Sequence, residues 1–176
     1  MINLNPFSGQ THEPSLIPKH SKDWKVYKIS DNHVAKIPRQ SFRALETLGL
    51  SDCIQRYWQE PLITRAMYEK GISVIKPEGI FQVPAGIECD GSDSFAFVME
   101  YVDGKTLKEQ RNTLPGAKFE EIKKLYYGEV DKAGDLGFIA GDAGDHNCIW
   151  LPEKEKLYLI DFFEWNFSNS QLGRVA

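Results

Sequence analysis

Apolar and polar positions alternate most clearly in WKVYKIS and HVAKIP, with Asp31-Asn32 supplying turn chemistry between them. That period of two predicts a β-hairpin pairing 24–30 with 33–38. Pro38 closes the second strand, and SFRALETLGL reads as a short helix stopped at Gly49. Ser51 and Asp52 can cap a longer helix, in which Ile54, Tyr57, Trp58, Leu62, Ile63, Ala66 and Met67 recur near 3.6-residue spacing up to Gly71. Pro61 lies inside that run, so a kink or the start of a second segment is expected there. Strand-like pieces follow over 72–102 (ISVIKP, GIFQVP and SFAFVMEYV), with CDGSDS as a turn-prone spacer. Helical patterning returns around 105–111 and over 117–134, where Phe119, Ile122, Leu125, Tyr126 and Val130 form an apolar stripe. NCIWL, PEKEK and LYLIDFF then read as strand, charged turn and strand.

Strands precede most of the helices, which predicts an α+β chain of two lobes. Residues 1–22, rich in Ser, Pro, Asn and His, read as an irregular lead-in; 23–101 form a β-rich N-lobe and 102–176 a reduced helical C-lobe. Hydrophobic residues make up 41% and charged residues 26%, the balance of a globular chain rather than a disordered one. No apolar run approaches the roughly 20 residues of a membrane span. The first residues have neither a basic start nor an apolar stretch, so a cytoplasmic protein is expected, with export as a signal-less effector left open. A net charge of −4 does not favour phosphate backbones, so neither nucleic acid nor membrane is an expected partner. Cys53, Cys89 and Cys148 are odd in number and far apart, as reduced thiols would be.

Candidate chemistry concentrates in 141–161. Asp142 and Asn147 stand on a glycine-containing loop that runs into a strand, and Asp161 ends the strand's hairpin partner. A short hairpin brings its ends together, so Asn147 and Asp161 should project toward one spot. An amide oxygen and a carboxylate make a hard oxygen site suited to Mg²⁺. Asp142, just outside that pair, is placed to accept a proton from a hydroxyl. Asp145 is an alternative base, and His146 reads as a structural loop histidine.

This Asp, the Asn five residues later and the second Asp after a hairpin resemble the protein-kinase superfamily. Gly141-Asp142 is similar to the form found in aminoglycoside phosphotransferase-like and RIO-like enzymes. The resemblance extends to HVAKIP and FVMEYVDGKTL, so it covers roughly 34–161. It implies a bilobal protein-kinase-like fold with a β-rich N-lobe and a truncated helical C-lobe, with ATP and Mg²⁺ as cofactors. By that match Lys36 pairs the nucleotide phosphates and Glu60 orients Lys36, with Glu46 and Glu69 as fallback partners. Val34 would cover adenine, and Val26 would also line the nucleotide site. Met99 would be the gatekeeper, and the Glu100 carbonyl and Val102 amide would meet the adenine edge. Ile149 would floor the cleft, with Ile160 beside a metal held by Asn147 and Asp161.

Two departures shape the functional expectation. PKHSKDWKV has no glycine where the phosphate loop belongs, leaving Ser21 with Lys19 or Lys22 as an improvised phosphate nest. Asp161 is followed by Phe-Phe rather than Phe-Gly, and fifteen residues follow it, where protein kinases place their peptide platform. The expected activity is an atypical minimal kinase moving the ATP γ-phosphoryl group to a hydroxyl of protein Ser or Thr. A protein partner or substrate would complete the surface. A pseudokinase acting as a binding module, or a small-molecule phosphotransferase, are the alternatives.

Overall fold

The computed structural model describes residues 15–17, 23–40, 42–83 and 95–168. The chain divides into two compact units, Met1–Pro61 with Lys76–Val102, and Leu62–Ile75 with Asp103–Ala176.

The first unit is built on a five-stranded antiparallel sheet in the order β1-β2-β3-β5-β4, where β1 is Ser15–Ile17, β2 Trp24–Ser30, β3 His33–Pro38, β4 Pro77–Gln82 and β5 Phe95–Glu100. The β2–β3 hairpin closes around Asp31-Asn32, where the alternation places it. Strand β1 lies in the stretch read as an irregular lead-in. Its three residues pair with Val26–Lys28 through backbone bonds, which the polar composition around them conceals. Alternation along each strand sorts the sheet into two faces. Ala35, Ile37, Ala96 and Val98 pack with Ile29 on one face as a small core. Lys36 stands opposite Val26 and Phe97, and Val34 opposite Met99, so these residues share the other face with Trp24. Helix α1 (Phe42–Thr47) and the first part of α2 (Ser51–Glu69) complete the unit.

Pro61 does not divide α2, which runs from Ser51 to Glu69 as one helix. ISVIKP is not a strand either: it contributes a single bridge from Val74 to Leu159, and the chain becomes extended only at Pro77.

The second unit contains the end of α2, then β6 (Lys105–Thr106), α3 (Leu107–Gln110), α4 (Gly116–Asp135), β7 (Phe138–Ile139), β8 (Cys148–Leu151), β9 (Lys156–Leu159) and β10 (Asn166–Phe167). Ile63, Met67, Ile72 and Val74 belong here because they enter a core shared with Phe119, Ile122 and Tyr126 of α4 and with Trp150, Leu159, Phe162 and Trp165. Burying each such side chain fully is worth roughly 1.5–3 kcal/mol. The region around 105–111 opens as a strand: β6 pairs with β8, and α3 begins after a capping box made by Thr106 and Glu109. PEKEK makes the turn between β8 and β9, with Glu155 in the left-handed region at φ 45°. Strand β10 pairs with β7, and Phe167 meets Phe138 there with ring centroids 5.7 Å apart.

Candidate active site

In the first unit the central feature is a buried ion pair. Glu60 of α2 is 1% exposed, and the Nζ of Lys36 on β3 donates to its Oε1. A carboxylate taken that far from water must be matched in charge and in hydrogen bonds. The second oxygen is matched too: the indole Nε1 of Trp24 donates to Oε2 at 2.7 Å. The Lys36 ammonium also lies 5.3 Å from the Trp24 ring centroid, within reach of its π face. Of the alternative glutamates, Glu46 is exposed on α1 and Glu69 takes the side chain of Arg65 at 3.0 Å.

The remaining residues expected to meet a nucleotide in this unit follow from the register. Val26, Val34 and Met99 share the Lys36 face; Val26 is half-buried, and Val34 and Met99 are buried. At the end of β5, Glu100 is exposed, with its amide bonded to the Lys76 carbonyl, and Val102 two residues on is half-buried. Ser21 lies outside the described residues.

The second unit holds the acidic loop. Gly141 packs so tightly that a β-carbon there would overlap the Glu164 carbonyl, so only glycine fits this approach. The loop then folds on itself. The Asn147 amide bonds the Gly144 carbonyl at 2.8 Å, and Asn147 Nδ2 donates to the Asp142 carbonyl at 3.2 Å. That bond commits the amide nitrogen of a 6%-exposed side chain and presents its oxygen as the acceptor. The His146 ring Nε2 and Asp142 Oδ2 are 3.1 Å apart, and both side chains are exposed. The Asp145 carbonyl accepts the Lys108 amide at 2.9 Å, which ties the loop to the start of α3.

The hairpin brings its two ends together as its length predicts. Cys148 pairs with Leu159, and the Ile160 amide donates to the Asn147 carbonyl at 2.9 Å, so Asp161 is the next residue after the one bonded to Asn147. Asp161 adopts a left-handed backbone at φ 63°, a conformation costly for a side chain with a β-carbon and better tolerated by Asp than by most. Ile149 is buried in β8 and Ile160 half-buried just after β9. Burial pushes the neighbouring Cys148 thiol up to about 12, so it is an inert core group.

Two of these contacts leave no signal in the sequence. Trp24 reads as an ordinary apolar strand residue, and only the fold brings its N–H to Glu60. His146 is one helical-turn distance from Asp142, a spacing that signals a contact only once the loop is known to coil. Among the described residues, no group of three or more His, Cys, Asp or Glu gathers as a metal site. The Asn147 amide oxygen and the Asp161 carboxylate are hard donors of the type Mg²⁺ takes together with phosphate and water, so their chemistry fits that ion.

Neither a protein-family profile nor a curated protein sequence matches the chain. In three dimensions it is similar to two solved structures of WbdD, one of them titled a bifunctional kinase-methyltransferase. Each superposes with a TM-score of 0.62 at 14% identity over 90% of this chain. The match covers 35% and 34% of those chains, so this chain spans about a third of their length. At that identity the likeness concerns architecture, and with the sheet order and element sequence above it makes the fold α+β and protein-kinase-like.

Proposed function

We propose that the protein is an ATP-dependent phosphotransferase that moves the γ-phosphoryl group to a hydroxyl, with protein Ser or Thr as the acceptor class to test first. The observation that carries this reading is the Lys36–Glu60 pair. It fixes a cation on one face of a kinase-like sheet, beside the apolar Val26, Val34 and Met99. In this reading Lys36 binds phosphate oxygens, and Glu60 keeps its ammonium charged and aimed. Val26, Val34 and Met99 contact the base, and the Glu100 carbonyl and Val102 amide bond its edge.

Asp142 accepts the hydroxyl proton as the new O–P bond forms, while the bond from phosphorus to the bridging oxygen breaks and that oxygen leaves on ADP. Its exposed carboxylate suits a group that must meet a second substrate, and His146 restrains it. Asn147 and Asp161 would hold Mg²⁺, whose charge offsets that of the phosphates. Transfer of this kind depends mostly on positioning and electrostatic stabilisation.

Calorimetric titration with ATP, in the presence and absence of Mg²⁺, tests the reading. The expected result is binding strengthened by Mg²⁺, with that strengthening lost in Asp161→Ala while the fold survives. Equal Mg²⁺ dependence in the variant would overturn the metal assignment. Binding without turnover would favour a nucleotide-binding pseudokinase.

A further inference from the structure

We propose that Trp24 is a positioning residue: its indole N–H holds the Glu60 carboxylate in place for Lys36, so that the ion pair is assembled by the fold itself. This rests on the phosphotransferase reading for its catalytic consequence but not for its structural content. Three observations meet at Trp24.

The first is direct. Trp24 Nε1 donates to Glu60 Oε2 at 2.7 Å, leaving Oε1 for Lys36. An indole can only donate, so this bond suits an ionised carboxylate oxygen and would conflict with a proton there. The second is geometric. On the β2–β3 ladder Trp24 faces Pro38 while Val26 faces Lys36, so Trp24 and Lys36 stand on one face in diagonal positions, and the ring also presents its π face to the ammonium. One side chain therefore touches both members of the pair.

The third is rigidity. Trp24 is fully buried, with the Tyr57 ring against it edge-on at 4.8 Å and 90° and Phe95 at 6.1 Å. Tyr57 precedes Glu60 by one helical turn, and its hydroxyl donates to the Asp23 carbonyl at 2.8 Å. Helix α2 thus grips the first residue of β2 and the one before it at two successive same-face positions, Tyr57 on Asp23 and Glu60 on Trp24. A free helix could rotate Glu60 away from Lys36, and this double grip opposes that rotation.

The test separates positioning from stability. Trp24→Phe removes the donor, and benzothienylalanine at position 24 keeps the bicyclic shape without the N–H, which covers the case in which the phenylalanine variant does not fold. Tyr57→Phe is the comparison: it loses the bond to the Asp23 carbonyl, one of the two grips, and leaves the Trp24–Glu60 bond in place. Trace acetylation read by mass spectrometry reports on Lys36 relative to the exposed Lys70.

The prediction is that either change at position 24 raises relative Lys36 labelling about tenfold, the scale of one hydrogen bond to a charged group, whereas Tyr57→Phe, which keeps the bond to the carboxylate, raises it clearly less. The ATP kcat should fall by a similar factor, with a smaller change in ATP affinity. In a Glu60→Gln background the substitution should add nothing, because the carboxylate through which Trp24 acts is gone. Unchanged Lys36 labelling, or losses that add in the double variant, would overturn the proposal. Raised labelling in a protein whose wild type neither binds nor turns over ATP would leave the positioning role standing and reject the phosphotransferase reading.

Discussion

At the residue scale, the backbone of Asp161 shows how the candidate site departs from best stability. Its φ of 63° favours glycine, so Asp161→Gly should be more stable than Asp161→Ala by about 1 kcal/mol in urea denaturation, with both lacking phosphoryl transfer. Equal stability of the two would remove the claim that this position is held against its preference. Gly141 makes the opposite case. Its contact with the Glu164 carbonyl leaves no space for a methyl group, so Gly141→Ala should lower stability and distort the Asp142 loop. A crystal structure of that variant with the loop unmoved would contradict this.

The closure of the hairpin is legible in the sequence. The spacing of Asn147 and Asp161 implied a hairpin that closes on itself, and the Ile160–Asn147 bond closes it. Trp24 was not legible, because its contact with Glu60 spans 36 residues and depends on how α2 lies on the sheet.

At the scale of elements, local signals worked where one period ran for a whole segment. The β2–β3 hairpin and α4 form where their periods of 2 and 3.6 place them, although β3 is buried on both faces and Leu125 of the α4 stripe is exposed. They failed where tertiary contacts decide. Strands β1, β6, β7 and β10 are two or three residues long, too short to show a period, and exist because a neighbour pairs with them. Helix α2 carries Pro61 through its interior, since residues on either side of the proline are anchored: Tyr57 and Glu60 before it, Ile63 and Met67 after it. The capping box that starts α3 is a local device with a measurable share of stability. Thr106→Ala should cost about 1 kcal/mol in urea denaturation, and Thr106→Ser much less. Equal loss from both would assign the effect to the threonine methyl group instead.

At the scale of the whole molecule, three buried acids set an alkaline limit. Burial raises the Cys148 thiol from its ordinary 9.0 to about 12, and raises the Tyr57 and Tyr126 phenols as well. The fold holds each in its neutral form, while the unfolded chain ionises first. Their stabilising share is therefore whole below about pH 9 and drains as pH rises toward 12. Urea midpoints should be level from about pH 7 to 8.5 and fall above pH 9, with Cys148→Ala making the fall shallower. A midpoint rising through that range would contradict the sign.

The kinase-like architecture joins these scales, because one unit fixes a paired lysine and the other fixes an Asp, an Asn and a second Asp. The decisive measurement is turnover of γ-labelled ATP in Mg²⁺ by wild type and by the isosteric Asp142→Asn. Wild type should give labelled product and the variant should lose at least about a hundredfold, the scale of a general base. Absence of any label transfer or ATP hydrolysis by the folded wild type, or an undiminished rate in Asp142→Asn, would contradict the phosphotransferase reading.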